Sequence, residues 1–248
     1  MKKELYRFPI VEAFSDDNEC PFCFLYERSE QEVLNTLLGT ANAYMEDYIR
    51  ERTDKEGFCK NHLKIMKNMD NKLGVAIMLE THTKRKNSEL EALINNCGEV
   101  KKKSFFNKGK KNDGDDDLQK LVSYLNDFEN DCYLCNKVDE QFIKYIDNYL
   151  HLYKNDAEIK TLTYNSKGFC LPHFKQLIIT AEKILKQKES EEFLNVVFKL
   201  ETENLKRIEE DISWFVCKSD YRYKSEPWKN SKDAIKRTMK KLASLEEE

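Results

Sequence analysis

Eight residues of this chain have side chains and spacings suited to holding metal. Cys20-Pro-Phe-Cys23 is followed by Gly57-Phe58-Cys59-Lys-Asn-His62, and Cys132-Tyr-Leu-Cys135 by Gly168-Phe169-Cys170-Leu-Pro-His173. Each copy reads C-x2-C, a long insert, then G-F-C-x2-H, with 35 and 34 residues between the second and third cysteines. Three thiolates and one imidazole complete a closed tetrahedral shell, for which Zn²⁺ is the default ion. The pattern predicts two Zn²⁺ per chain, one on Cys20, Cys23, Cys59 and His62, the other on Cys132, Cys135, Cys170 and His173. Pairing within each copy is the expectation. Exchange of half-sites between copies, and one merged cluster, are the alternatives.

Other chemistries fit less well. An iron–sulfur cluster accepts mixed Cys and His ligands, so ligand type alone does not exclude it. A glutaredoxin-like thiol pair needs a βαβ setting and a later proline, yet no proline occurs between Pro21 and Pro172. A catalytic metal needs an open position, and here the protein supplies all four ligands. No nucleophile with its base and no phosphate loop is legible, so the reading leans away from an enzyme. It favours a binding or regulatory module. The alternative is a redox protein, either an iron–sulfur electron carrier or a thiol-based sensor.

The elements that must position these ligands read as helices. Seven Gly and four Pro in 248 residues are too few for the frequent turns of a strand-rich protein. Residues three apart share a helix face, so C-x2-C and C-x2-H at helix starts can each present two ligands to one ion. The helix N-terminus favours the thiolate, and the Gly-Phe ahead of each C-x2-H turns the backbone and shields the site. From Cys23 one stripe runs through Leu34, Leu37, Leu38, Ala41, Met45, Tyr48 and Ile49. After Gly57 a second passes Leu63, Met66, Met69, Leu73, Ala76 and Ile77, with weaker periodicity to Ile94. Val138, Phe142, Tyr145, Ile146 and Tyr149 follow the second cysteine pair, and a long helix extends from about Ser190 to Phe215.

Residues 98–117 hold six lysines and then four aspartates without apolar period, the composition of a flexible linker. The aspartates lack the alternation of a calcium loop. The tail, 218–248, carries nine Lys or Arg against three acids up to Lys241. With a net charge of −3, nucleic acid is a weak candidate and an unknown protein partner the stronger one. No stretch approaches the ~20 apolar residues of a membrane span, and the N-terminus lacks a signal peptide's apolar run. A cytoplasmic location follows, where reduced thiols favour metal binding over disulfides. Cys97 and Cys217 have no partner motif and read as small buried residues or linker-edge thiols, and His82 and His151, without ligand spacing, read as ordinary solvent-facing or satisfied histidines. Trp214 and Trp228 read as packing anchors.

The chain resembles a family of mainly bacterial and archaeal proteins known only as a domain of unknown function. Phe8-Pro-Ile-Val-Glu-Ala-Phe14, both cysteine motifs, Leu73-Gly-Val-Ala76, Asp220-Tyr-Arg-Tyr and Glu226-Pro-Trp228 carry the resemblance. It implies a shared fold and metal sites, and a packing role for Tyr221, Arg222 and Trp228 across the two repeats. It implies no activity. The resulting expectation is an all-α protein of two pseudo-repeated helical hairpins, each with a Cys3His site, plus a C-terminal helical tail. Its divisions are a first repeat over 1–97, a linker over 98–117, a second repeat over 118–217 and a tail over 218–248.

Overall fold

The scarcity of glycine and proline is realised as helix. Among the residues that the computed structural model describes, 2–97 and 113–245, there are eleven α-helices and no strand. In chain order they are α1 (Lys2–Ser15), α2 (Pro21–Leu38), α3 (Asp47–Glu56), α4 (Lys60–Asn68), α5 (Lys72–Cys97), α6 (Asp113–Asn130), α7 (Tyr133–Asn155), α8 (Ala157–Asn165), α9 (Leu171–Ile184), α10 (Gln187–Cys217) and α11 (Ala234–Ala243). Among them no helix is long and apolar enough to cross a membrane.

The chain falls into two compact units, and these are not the two sequence repeats. One unit is Met1–Ser29 with Asp139–Glu248, the other Glu30–Val138. The boundaries fall inside α2 and α7. Each repeat, expected over 1–97 and 118–217, therefore leaves its C-x2-C in one unit and its C-x2-H in the other. Of the expected linker, residues 98–112 lie outside the described residues. Residues 113–117 already belong to α6, where Lys120 reaches back to Asp116 at 2.8 Å and Asp117 at 3.0 Å. Such i,i+4 pairs, with acids in the first turns, favour helix there.

In the unit Glu30–Val138 the anticipated single stripe after Cys23 is broken. Helix α2 stops at Leu38, Asn42 turns left-handed at φ 47°, and a 3-10 turn at Ala43–Met45 leads into α3. The interruption resets the helical phase. Leu34, Leu37, Leu38, Tyr44 and Ile49 are buried, whereas Ala41, Met45 and Tyr48 face solvent. A second interruption separates α4 from α5. Asn71 caps α5 by accepting from the Gly74 N–H at 2.9 Å, and its own amide donates to the Leu38 carbonyl at 3.0 Å. Val75, Met78 and His82 then point inward, and Leu73 points out. Helix α6 is tied to α5 where the Tyr124 hydroxyl donates to Glu89 at 2.8 Å.

In the unit of Met1–Ser29 and Asp139–Glu248 the core is aromatic. Phe14 stacks on Tyr149 at 4.9 Å, Phe22 leans on Phe169 at 4.8 Å, and Phe193 meets Tyr153 edge-on at 4.8 Å. Edge and offset contacts of this kind add to plain area burial. Helix α1 contributes Ile10, Ala13 and Phe14 to this core but leaves Phe8 exposed. The tail folds onto α10. Trp214 donates to the Pro227 carbonyl at 3.0 Å, Phe215 meets Trp228 at 5.7 Å, and the Lys218 ammonium gathers the carbonyls of Tyr223 and Lys224 at 2.7 and 2.9 Å. Trp228 is thus a packing residue, while Tyr221, expected to pack, is 86% exposed.

Candidate metal centres

All four half-sites are built alike. Cys20, Cys59, Cys132 and Cys170 each stand immediately before a helix, and Cys23, His62, Cys135 and His173 are its third residue. One helical turn brings the two side chains together, and the first N–H groups of the helix face the sulfur. At Cys135 this is explicit, its N–H donating to the Cys132 sulfur at 3.5 Å. Two glycines set the entry to α4 and α9. Gly57 has φ 68° and Gly168 φ 75°, a region in which a side chain is strained. Phe58 and Phe169, which follow them, are buried beside the sites as expected.

The half-sites meet across the repeats, not within them. Cys20, Cys23, Cys170 and His173 form one group, Cys59, His62, Cys132 and Cys135 the other, with the facing atoms of each group within 4.8 Å of one another. The expected pairing of Cys20 and Cys23 with Cys59 and His62 is therefore corrected, as is that of Cys132 and Cys135 with Cys170 and His173. Helix lengths are consistent with this. From Cys23 to its end α2 rises about 23 Å, whereas the ten residues of α3 span about 15 Å. From Cys135 α7 rises about 30 Å, whereas the nine residues of α8 span about 13 Å. A shorter helix after a longer one does not by itself bring a C-x2-H back to its own repeat's C-x2-C.

In the first centre, Cys23 and Cys170 sulfurs are 3.8 Å apart, and His173 Nδ1 lies 3.1 Å from Cys170 and 3.6 Å from both Cys20 and Cys23. In the second, Cys59 and Cys135 sulfurs are 3.7 Å apart, and His62 Nδ1 lies 3.3, 3.3 and 3.4 Å from Cys59, Cys132 and Cys135. A tetrahedral ion with ~2.3 Å metal–sulfur and ~2.0–2.1 Å metal–nitrogen bonds has edges of about 3.8 Å between sulfurs and about 3.5 Å between sulfur and nitrogen. The measured spacings lie at or within about 0.4 Å of those edges. Both groups could hold one metal ion.

Their electrostatics also call for a cation. In the first centre, contact with Cys170 and Cys20 pushes the Cys23 thiol up, burial pushes Cys20 up to about 12, and Cys170 is held far down by its contacts with both. In the second, burial and the neighbouring Cys132 push Cys135 up. Burial pushes Cys132 up, but His62 and the backbone N–H groups of Cys135 and Cys59 together draw it down to about 6, and His62 rises to about 10 against burial through Cys132 and Glu30. Three touching sulfurs cannot all ionise against one another, and an ion among them removes that conflict.

The surroundings of the two centres differ. His62 turns its other nitrogen, Nε2, to Glu30 at 3.1 Å, the carboxylate–imidazole pairing that orients a ligating histidine. His173 instead packs among Phe142 at 4.9 Å, Tyr26 at 5.7 Å and Phe22 at 6.4 Å. Behind Gly57 sits the ring of His82, whose Nδ1 is 2.7 Å from the Asp54 carbonyl, and a Cβ on Gly57 would come within 2.5 Å of that ring. Behind Gly168 sits Glu201, which accepts from the Phe169 N–H at 2.8 Å and would meet a Cβ there at 2.6 Å. Lys241 of α11 is fully buried, donating to the carbonyls of Glu19 and Lys167, the residues just before Cys20 and Gly168. Ser244 closes the same end, its Oγ 2.9 Å from the Cys170 sulfur.

Glu30, Glu201 and Lys241 escape sequence reasoning because none has ligand spacing, and Lys241 is one of nine Lys or Arg in the basic tail. The one available signal was the glycine before each phenylalanine, which marks a close approach without naming its partner. Cys97 and Cys217 are in neither group. His82 does not face solvent but is buried, with Nδ1 2.7 Å from the Asp54 carbonyl, the satisfied form of the two expected for it.

A family model described as a family of unknown function (DUF6062) matches residues 1–248. The chain belongs to this family. No curated protein and no solved structure matches it. The DUF6062 match takes in both ligand groups and the tail whose Lys241 backs the first of them.

Proposed function

We propose that this DUF6062 protein is a zinc-binding helical module whose two Cys3His centres are structural and whose role is to bind or regulate a protein partner in the cytoplasm. The observation that carries the reading is the spacing of the ligand atoms, all within 4.8 Å in each group. One ion fits such a shell. A cluster of two or more irons spreads its ligands over different metals and holds them farther apart. Ligand softness points the same way, since three thiolates and an imidazole suit Zn²⁺ and leave no position for water. Each ion would then clamp the starts of two helices distant in sequence, so that binding free energy becomes folding free energy.

The test is elemental analysis of protein purified without oxygen, with its visible spectrum. About two zincs per chain in a colourless sample, as two closed shells require, is the expected result. Iron with acid-labile sulfide in a brown sample overturns the reading in favour of an electron carrier.

A further inference from the structure

The cysteines of the two centres are unequally buried. In the centre of Cys20, Cys23, Cys170 and His173 every ligand is buried, with exposures of 0, 3, 0 and 6%. In the other, Cys132 and His62 are 2 and 4% exposed, but Cys59 and Cys135 are both half-buried. These two sulfurs are also neighbours, 3.7 Å apart. An oxidant therefore meets an adjacent pair of half-buried cysteines in one centre, and in the other only buried cysteines, with Cys23 at the edge of a cleft. Cys59 stands immediately before α4 and Cys135 is the third residue of α7, so the pair joins the starts of two helices.

Resting on the zinc reading above, we propose that Cys59 and Cys135 are a redox modification site, at which a peroxide forms a disulfide and expels the ion from that centre alone. The chemistry balances with the peroxide as two-electron oxidant. One thiolate attacks a peroxide oxygen, the O–O bond breaks, and with one proton the products are a sulfenic acid and water. The second thiolate attacks the sulfenic sulfur, the S–S bond forms, and hydroxide leaves to take a second proton as water. Two of the four ligands are then lost, and the ion departs because Cys132 and His62 cannot fill its shell. A dithiol reductant returns both sulfurs to thiolates and restores binding. The more deeply buried centre keeps its ion and its unit stays folded, so one chain combines a fixed metal clamp with a releasable one.

A cleft lined by Cys23, Tyr26, Asp139, Pro172, His173 and Leu245 reaches the edge of the first centre. The experiment must therefore compare the two centres directly. Full-length protein carrying Cys97→Ala and Cys217→Ala, which removes the two thiols outside the centres, is loaded with Zn²⁺ and its metal content measured. Hydrogen peroxide is then added, zinc release is followed with a chromogenic chelator, and disulfides are mapped by alkylation and mass spectrometry.

The expected result is one equivalent released about tenfold or more faster than the second, as accessible thiolates outpace those that need local opening. A Cys59–Cys135 bond and recovery of the ion after dithiothreitol and Zn²⁺ complete it. Equal release from both centres, earlier release from the Cys20 centre, or a Cys132–Cys135 bond overturns the proposal. Protein that takes up no zinc before peroxide is added overturns the underlying metal reading instead.

Discussion

Lys241 Nζ lies 3.7 Å from Glu201 Oε1, with the two side chains 0 and 3% exposed. The pair sits directly behind Gly168, and its members hold three backbone groups around the first metal centre, the carbonyls of Glu19 and Lys167 and the N–H of Phe169. Burial pushes Glu201 up and Lys241 down, each partly restored by its partner. A C-terminal helix thereby fixes two half-sites that are about 150 residues apart in sequence.

Removing one partner of such a pair strands the other. Lys241→Met is expected to cost about 3–5 kcal/mol, because it leaves Glu201 uncompensated and two buried carbonyls without a donor. Lys241→Met combined with Glu201→Gln keeps an acceptor for Phe169 and removes the stranded charge, so it should cost less than Lys241→Met alone. Chemical denaturation of zinc-loaded protein measures both. A Lys241→Met variant within 1 kcal/mol of wild type would show that the pair does not hold the unit together.

Pairing across the repeats makes a prediction about metal counts. Cys20→Ser with Cys170→Ser damages one centre twice and should leave about one zinc per chain, as one intact closed shell retains its ion. Cys20→Ser with Cys59→Ser damages both centres once and should leave about none. Pairing within each repeat predicts the reverse order. Atomic absorption on the two double variants decides between them, with circular dichroism to confirm that helix persists.

The cysteine and histidine residues that gather into the two groups, and the helical class, were legible in the sequence for a shared reason. Cysteine pairs at helical spacing and the shortage of glycine and proline are local signals. The partnering of half-sites was not, since it depends on how far α3 and α8 bring the chain back. Nothing near Cys59 records the length of α2 relative to α3. The stripe through Ala41, Met45 and Tyr48 misled for a related reason: the break after Leu38 shifts the helical phase without altering the apolar spacing. Lys241 was read as part of a basic surface because its burial is created by Glu201 and by carbonyls from segments far away in sequence.

The two glycines before the phenylalanines should not tolerate a methyl group. Gly57→Ala and Gly168→Ala each incur about 1–2 kcal/mol for the left-handed backbone, before any collision with His82 or Glu201. Gly168→Ala is expected to be the worse of the two. Glu201 is pinned by Lys241 and the Phe169 N–H, whereas the His82 ring is anchored at Nδ1 by the Asp54 carbonyl at 2.7 Å, away from the Cε1 and Nε2 atoms that the methyl would meet, and can pivot about that contact. Thermal melts of the zinc-loaded variants provide the ranking, and equal stability of Gly168→Ala and wild type would refute the close approach.

Glu30 gives the second centre a support that the first obtains from aromatic packing. Its carboxylate fixes the ring of His62 from the far nitrogen and leaves Nδ1 directed at the three sulfurs. Loss of such an outer partner weakens metal binding by about 10–100-fold. Glu30→Gln should therefore lose one of two zincs to a competing chelator at a concentration where wild type keeps both. Glu30 is not among the ligands of the Cys20 centre, so the remaining ion should resist the chelator as it does in wild type. Competition titration against a chelator of known affinity reads both effects at once. Simultaneous weakening of both ions would mean that Glu30 acts through general stability, and unchanged binding would mean that the imidazole is oriented without it.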